Sequence, residues 1–259
     1  MPFEESNGLR YFQFESFSND WFDHGIFTRR GGVSEEHFAS LNVGATVGDD
    51  PDKVIENRRR VFDTFGRHTD SAFDIWQVHS AEILVATEPR QGEPYPRVDG
   101  VVTNRPGVTL SMRFADCVPI MLMDPVHRSL ALIHAGWQGT VRGAASAGVQ
   151  KMVEAFGTRP KDLVAGIGPS IRQHHYPVGL EVIQAFRQSV GHRAEPYVSE
   201  IDGQFYLDLA GANADALDRL GVQNIEDPGL CTACDLEDWY SHRGQGGKAG
   251  RFAAIMGIR

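Results

Sequence analysis

The chain has 259 residues, a net charge of −9 and 41% hydrophobic residues, a composition typical of a soluble globular protein. The acidic balance argues against DNA or RNA binding, which requires a basic face, and no apolar run is long enough to span a membrane. The N-terminal residues lack the pattern of a signal peptide, so we expect a cytoplasmic protein. Three cysteines are too few for a disulfide framework, which leaves reduced thiols for metal binding or catalysis.

Helices and strands are both predicted, beginning with a helix at 49–66, where Pro51 marks the start and Gly66 the end. Strands follow one another through the centre of the chain, and strands and helices alternate in the second half. The predicted strands are 81–88, 99–103, 107–114, 117–124, 129–135, 163–169, 203–209 and 251–258, and the other helices are 140–157, 178–191 and 208–221. This mixture predicts a single α/β (α+β) domain over residues 1–259, with mixed sheets packed in layers.

The stretch CVPIMLMDPVHRSLALIHAG predicts an antiparallel hairpin that turns at Val126 and His127. In that register Cys117 lies opposite Gly136, and His134 lies on the same sheet face as Cys117. Such diagonal neighbours are close enough to bind one metal ion together. A shift of one residue would place the two side chains on opposite faces, so the prediction depends on the turn.

Two interpretations of this hairpin remain open. A free cysteine is often simply buried as a small hydrophobe. However, Asp116 beside Cys117 is costly to bury without a purpose, and a predicted helix start after His134 would offer N–H groups to an anion. Farther upstream, His79 would complete a set of two histidines and one cysteine, which is the ligand pattern of a catalytic zinc with an open fourth position.

Ordered motifs over nearly the whole chain resemble those of the YfiH-type laccase-domain family, whose members are called multicopper polyphenol oxidoreductases or purine nucleoside phosphorylases. The matching stretches are FTRRGGVS, SLNVGATVGDD, IENRRRVF, QVHSAEI, VDGVVT, FADCVPIMLMDP, ALIHAGWQGT, GIGPSI, CTACDLEDWYSHR and GRFAAIMGI. The resemblance implies that His79, Cys117 and His134 are metal ligands. It also implies a layered α-β-β-α fold similar to that of cytotoxic necrotizing factor toxins. The chain departs from the family pattern at Ser170, Pro177 and His242, which bears on substrate preference.

The resemblance implies phosphorolysis of adenosine, inosine and methylthioadenosine by inorganic phosphate, together with hydrolytic deamination of adenosine. Zinc is the expected cofactor, with copper as the alternative metal. Phosphorolysis needs cationic donors for phosphate and polar groups for ribose. The candidate substrate-binding residues are Arg29, Asn42, Arg243 and the backbone of Gly136. Asp116, Cys117 and His134 are the candidate catalytic residues, with Asp116 as a proton carrier in deamination.

Other functions remain open. A polyphenol oxidase with a multicopper centre is disfavoured because none of the ten histidines forms a His-x-His pair, although a single copper in this site would give weak oxidase activity. A thiol hydrolase would use Cys117 as nucleophile and His134 as base, oriented by Asp116 or a carbonyl group. The resemblance also implies an alternative role in the editing of peptidoglycan precursors, an amide hydrolysis that a thiol hydrolase or zinc-activated water could perform. A protein that only binds a metal or a partner is the non-enzymatic alternative.

Cys231 and Cys234 form a Cys-x-x-Cys pair that is followed by His242. We interpret the pair as ordinary cysteines and not as a structural zinc site, because such a site would lack its fourth ligand. With small molecules as its only expected partners, the protein is predicted to be a monomer.

Overall fold

A computed structural model describes residues 3–18 and 20–259. The strands within these residues are β1 (Phe3–Ser6), β2 (Leu9–Phe12), β3 (Phe22–Phe27), β4 (Ala72–Phe73), β5 (Ile83–Val85), β6 (Gly100–Thr103), β7 (Thr109–Phe114), β8 (Val118–Asp124), β9 (Ser129–Ala135), β10 (Val164–Ile167), β11 (Pro177–Val178), β12 (Val198–Ile201), β13 (Gln204–Leu207), β14 (Asn224–Glu226) and β15 (Phe252–Ile258). The α-helices are α1 (Pro51–Asp63), α2 (Trp137–Val141), α3 (Ala144–Phe156), α4 (Leu180–Val190) and α5 (Leu209–Arg219).

Two six-stranded sheets form the centre of the molecule. The first has the order β1-β2-β3-β15-β7-β4 and the second β14-β10-β8-β9-β6-β5, and a small third sheet has the order β11-β13-β12. The pairs β4–β7, β5–β6 and β10–β14 are parallel, and the other pairs are antiparallel. The prediction of mixed sheets in an α/β fold is therefore confirmed.

The sheets are stacked face to face between layers of helices. Along β8, Ile120 and Leu122 pack toward α3, α4 and α5, whereas Met121 and Met123 pack into the core between the two sheets. Because both faces are buried, the strand is apolar throughout instead of alternating with polar residues. Helix α1 covers the opposite face of the first sheet with Val61 and its neighbours. The order of layers is thus α-β-β-α.

The helix predicted at 140–157 is two helices, α2 and α3. Gly143 separates them with a φ of +79°, a left-handed conformation that an α-helix cannot contain but glycine adopts freely. Within α3, Gly148 lies so close to β9 that an added Cβ would be 2.2 Å from Cδ1 of Ile133. The small inner face of α3 therefore allows close packing on the second sheet.

The β8–β9 hairpin has the predicted register. Val118 pairs with Ala135 and Pro119 with His134. The carboxylate of Asp124 fixes the turn by accepting the backbone N–H groups of Val126 at 2.8 Å and His127 at 3.1 Å. Cys117 and His134 consequently meet at the end of the hairpin opposite the turn.

No helix within residues 3–18 and 20–259 combines the length and the apolar character needed to cross a membrane.

Candidate active site

Three side chains from separate parts of the chain converge at the open end of the hairpin. Cys117 directly precedes β8, His134 lies in β9, and His79 lies in the loop before β5. Their ligand atoms are all within 4.8 Å of one another, and Sγ of Cys117 is 3.9 Å from Nε2 of His79. The structure thus brings together the three residues that were predicted as metal ligands.

Asp99, which directly precedes β6, holds both histidines in place. Its Oδ1 lies 2.9 Å from Nδ1 of His134, which leaves Nε2 of that ring for a metal. The same carboxylate accepts the successive backbone N–H groups of Val78, His79 and Ser80 at 3.1, 2.9 and 2.6 Å. These bonds fix the loop where His79 has a φ of +60°, an uncommon conformation for a residue other than glycine.

The Asp99 carboxylate is ionised because it is so well hydrogen-bonded. Burial alone would raise its pKa, but the hydrogen bonds from His134 and Ser80 lower the pKa to about 2. Sequence reasoning missed this residue. The sequence did offer one indication of its role. Asp99 directly precedes strand β6, which pairs with β9 so that Gly100 lies opposite Ile133, the residue before His134.

Cys117 and His134 form a mutually stabilised pair. Burial alone would raise the pKa of the Cys117 thiol, but the charge of His134 and hydrogen bonds from His134 and His79 lower that pKa instead. Burial alone would lower the pKa of His134, whereas the charge of Cys117 and the hydrogen bond to Asp99 raise it. The environment therefore favours the thiolate, which is the form of cysteine that binds metals or attacks electrophiles.

Gly136 provides the space in which these ligands meet. An added Cβ would lie 2.9 Å from both Sγ of Cys117 and Cδ2 of His79. Its backbone is ordinary, with φ −76°, so the site requires glycine for its lack of a side chain. The helix that follows Gly136 has only five residues.

The donor set fits a zinc ion. Zinc bonds of 2.3 Å to sulfur and 2.0–2.1 Å to nitrogen place tetrahedral S and N ligands about 3.6 Å apart, close to the 3.9 Å between Cys117 and His79. Two imidazoles and one thiolate leave a fourth position open, as in catalytic zinc sites. Copper accepts the same ligands.

A cavity of about 490 Å³ extends from the three candidate ligands. Its walls carry three arginines and two large aromatic side chains, namely Arg58, Arg113, Arg251, Trp76 and Tyr95. Asp74 organises the cationic wall, since its carboxylate pairs with Arg58 and lies 2.6 Å from Nη1 of Arg113. Burial would raise the pKa of Asp74, but the two arginines lower it, so the carboxylate is ionised.

Sequence reasoning missed these cavity arginines, although Arg58 and Arg251 lie in the motifs IENRRRVF and GRFAAIMGI and Arg113 lies immediately before FADC. Burial lowers the pKa of Arg251, while the charges of Cys117 and Asp116 oppose that change. The guanidinium of Arg251 therefore lies within the electrostatic influence of Cys117.

The predicted substrate residues Arg29 and Asn42 do not line this cavity. Nε of Arg29 donates to the carbonyl of Ala39 at 2.7 Å, and its guanidinium lies over the ring of Tyr240. The buried Asn42 accepts the backbone N–H of Arg251 at 2.8 Å and so positions a cavity residue. Substrate binding by Arg29 or Asn42 remains a prediction.

Asp116 and Arg243 lie beside the site and bond to each other. Oδ1 of Asp116 accepts the hydroxyl of Thr232 at 2.7 Å, and Oδ2 accepts the backbone N–H of Arg243 at 2.6 Å. The Arg243 guanidinium lies over the ring of Tyr176, 5.2 Å from its centroid. Neither residue lines the cavity, whereas His242 does. Their roles in proton transfer and substrate binding remain predictions.

Residues 23–259 match a family described as multi-copper polyphenol oxidoreductase laccase. A purine nucleoside phosphorylase of Deinococcus radiodurans is 37% identical over 236 residues, which cover 91% of this chain and 88% of that protein. Purine nucleoside phosphorylase YlmD of Geobacillus stearothermophilus is 36% identical over 91% of this chain and 89% of the relative.

Two solved structures have the same fold. YlmD from Geobacillus stearothermophilus superimposes with a TM-score of 0.92 at 33% identity and covers 100% of this chain and 99% of that one. YfiH from Bacillus licheniformis gives a TM-score of 0.91 at 31% identity with the same coverage. The chain therefore belongs to the YfiH/YlmD laccase-domain family, whose members include purine nucleoside phosphorylases.

Proposed function

We propose that this chain is a metal-dependent purine nucleoside phosphorylase that acts on adenosine, inosine and methylthioadenosine. One observation carries the proposal: a single cavity contains the His79–Cys117–His134 set, three arginines and two aromatic side chains. The names of the relatives from Deinococcus and Geobacillus support it. Zinc is the proposed metal because it suits two imidazoles and a thiolate, with copper as the alternative.

Phosphorolysis forms a bond between a phosphate oxygen and C1′ of the ribose. The bond from C1′ to N9 of the purine breaks, its electron pair goes to the base, and the base takes up a proton. An anionic nucleophile must therefore approach a ribose that becomes positively charged. The proposed hydrogen-bond donors to the phosphate are Arg58, Arg113 and Arg251. A guanidinium group can donate two parallel hydrogen bonds to the oxygens of one phosphate. Asp74 fixes two of these arginines before substrate arrives.

The purine base is proposed to lie against the aromatic part of the same cavity. The side chain of Trp76 is 43% exposed although it lines the cavity. Aromatic rings bind bases by stacking, which is worth about 1–3 kcal/mol per base. A zinc ion bound by His79, Cys117 and His134 would supply Lewis acidity toward a substrate oxygen.

Adenosine deamination is the proposed second reaction of this cavity. Water adds at C6 of adenine, ammonia leaves, and a proton must move between them. Asp116 is the proposed proton carrier, although its two carboxylate oxygens already accept hydrogen bonds from Thr232 and Arg243. An Asp116→Asn variant that keeps its deaminase rate would remove Asp116 from this role.

Product analysis of adenosine, with and without inorganic phosphate, tests the proposal. We expect adenine and ribose 1-phosphate only with phosphate, inosine from deamination, and neither reaction in Cys117→Ala. His192→Ala, which changes an exposed histidine, is the matched control and should keep wild-type activity. Unchanged adenosine with the metal-loaded wild type would contradict the proposal, and bound metal without turnover would favour a metal-binding protein.

A thiol hydrolase is the second candidate function. His134 lies between Cys117 and Asp99, which is the spatial arrangement of a nucleophile, a base and an acid that orients the base. Asp99 occupies the place for which Asp116 or a carbonyl was predicted. Amide bonds of peptidoglycan precursors are the proposed substrates. A chelator should leave a thiol hydrolase active and abolish the phosphorylase, so amide hydrolysis that survives chelation would favour this alternative.

The proposed working unit is a monomer, since the three candidate ligands and the cavity arginines all come from one chain. Light scattering during active turnover tests this point.

A further inference from the structure

A second cluster of metal-binding side chains lies outside the cavity. It consists of His174, His175, Cys231 and Cys234, whose ligand atoms are all within 4.8 Å of one another. Nε2 of His174 is 3.1 Å from Sγ of Cys234, and Nδ1 of His175 is 3.4 Å from Sγ of Cys234 and 3.6 Å from Sγ of Cys231. All four side chains therefore point to one common centre.

These distances are close to those of a tetrahedral zinc site. Sulfur and nitrogen ligands of one zinc ion lie about 3.6 Å apart, and the three distances in this cluster range from 3.1 to 3.6 Å. The Cys-x-x-Cys spacing of Cys231 and Cys234 is that of structural zinc ligands. The adjacent histidines, 56 to 60 residues earlier in the chain, supply the two ligands that a sequence search around the cysteines does not find.

We propose that His174, His175, Cys231 and Cys234 bind a second metal ion, zinc, at a structural site. Four protein ligands fill the tetrahedral coordination of zinc and leave no position for substrate. His174, His175 and Cys234 are exposed, so zinc can enter from solvent. Cys231 is buried and anchors the site to the body of the protein.

The site joins two segments of the chain, residues 170–175 and 231–234, that both contact Asp116. Ser170 bridges to Cys231, and the N–H of Thr232 donates to the carbonyl of Ser170 at 3.1 Å. Both segments contact Asp116: the N–H of Ile171 donates to its carbonyl at 2.9 Å and the hydroxyl of Thr232 to its carboxylate at 2.7 Å. A metal here would hold together the two segments that position the residue next to Cys117.

Cysteines with this spacing also form disulfides, and Cys231 and Cys234 are both free in the structure. A disulfide would consume both thiolates and leave two histidines, which bind zinc far more weakly. The two alternatives therefore differ in the metal content of protein that is isolated without a reductant, and reduction restores both thiolates for a test of the metal site itself.

Native mass spectrometry and elemental analysis of zinc-loaded, reduced protein test the proposal. We expect two zinc ions in the wild type, one in Cys117→Ser, one in Cys234→Ser and none in the double variant. His192→Ala, an exposed histidine remote in sequence from both clusters, should retain two. The same zinc content in the wild type and in Cys234→Ser would overturn the proposal, whereas one zinc ion that is kept in Cys117→Ser and lost in Cys234→Ser would support it and leave only the first site without metal.

Cobalt substitution in Cys117→Ser isolates the second site and needs no activity. We expect the ligand-field bands of tetrahedral Co²⁺ and thiolate-to-cobalt charge transfer, both lost in the variant that also lacks Cys234. His174→Ala is a second probe at an exposed position and should weaken cobalt binding while the circular dichroism of the fold is unchanged. Absence of the tetrahedral spectrum in folded Cys117→Ser would overturn the proposal, whatever substrates the cavity accepts.

Discussion

Oδ1 of Asp99 lies 2.9 Å from Nδ1 of His134. This contact determines which nitrogen of the ring faces Cys117 and the cavity. Because the same carboxylate also accepts the N–H of His79 at 2.9 Å, one buried acid orients two of the three candidate metal ligands.

Replacement of Asp99 by Asn should weaken metal binding at the first site. The amide keeps the shape of the carboxylate but loses the charge that fixes the His134 tautomer and strengthens the imidazole as a ligand. Loss of such supporting partners typically costs about 10- to 100-fold in metal affinity. Competition with a chromophoric chelator measures the affinity, and it is best done in Cys234→Ser so that only the first site is titrated.

The matched control is Asp124→Asn. Asp124 also holds a histidine on the same hairpin, with Oδ2 2.8 Å from Nδ1 of His127, and it is equally buried. It lies at the turn end, away from the candidate ligands. Equal losses of metal affinity in the two variants would mean that Asp99 acts only through the stability of the fold.

The hairpin illustrates what the sequence could predict. A turn at Val126 and His127 between two apolar stretches predicted one register, on the condition that the turn was correct, and that register placed Cys117 and His134 together, as the structure has them. Strands β1 to β3 were not predicted. All six residues of β3 are buried, but Asp23, His24 and Gly25 stand among them, so the strand shows neither an alternation of apolar and polar residues nor the continuous apolar run of β8.

The missed residues depend on contacts between distant parts of the chain. Asp99 and His134 are 35 positions apart, and His174 and Cys234 are 60 apart. No local pattern signals such pairs. The cavity arginines lacked a signal for a similar reason, since an arginine on a helix such as Arg58 looks like a solvated surface residue until Asp74 is placed beside it.

Gly136→Ala should disrupt metal binding without unfolding the protein. The new methyl group would lie 2.9 Å from both Sγ of Cys117 and Cδ2 of His79, so one ligand must move away. Gly139→Ala is the control. Its new methyl group would lie 3.3 Å from the nearest atom, the carbonyl oxygen of Ser80, and a small shift of the backbone relieves this contact. Zinc content and melting temperature, measured for both variants, separate lost coordination from lost stability. Full zinc binding by Gly136→Ala would contradict the prediction.

Arg251→Gln should raise the KM for phosphate by roughly 10-fold or more, since a lost hydrogen bond to a charged group costs about 1.5–3 kcal/mol. The KM for the nucleoside should change less. Arg243→Gln and Arg29→Gln are the informative comparisons, because these two arginines were predicted from sequence but do not line the cavity. Initial rates at varied phosphate measure the effect. A larger rise in Arg243→Gln or Arg29→Gln would assign the phosphate contact to those residues instead.

His24 should make the protein sensitive to mild acid. Its ring is buried among Phe14, Phe17 and Phe22, and the N–H of Phe14 donates to Nε2 at 3.0 Å. Burial lowers the pKa of His24 to about 3, although the charge of Asp23 opposes the change. The folded protein therefore keeps this ring neutral at pH values where the unfolded chain protonates it.

The sign of the pH dependence follows from this difference. The contribution of the neutral His24 ring to the free energy of unfolding is fully present above pH 6.5, the approximate pKa of histidine in the unfolded chain. It is lost as the pH falls toward 3, the pKa of this ring in the fold. Each pH unit in that interval removes about 1.4 kcal/mol from the free energy of unfolding. In His24→Gln, the amide oxygen can still accept the N–H of Phe14, but the side chain does not titrate. The decrease of the unfolding free energy with falling pH that is due to His24 should therefore be absent.

Melting temperatures from pH 6.5 to pH 4.5 measure the effect. Over two units the wild type should lose roughly 2 kcal/mol more than His24→Gln, since the unfolded ring is only half protonated at pH 6.5, and this corresponds to several degrees for a chain of this size. The interval lies above the range in which Asp99 affects stability, since its contribution is lost between an unfolded pKa of about 3.9 and a folded pKa of about 2. His192→Gln controls for an exposed histidine and should follow the wild-type curve. Parallel curves for the wild type and His24→Gln would mean that the ring is protonated inside the fold, with the Phe14 hydrogen bond broken well above pH 4.5.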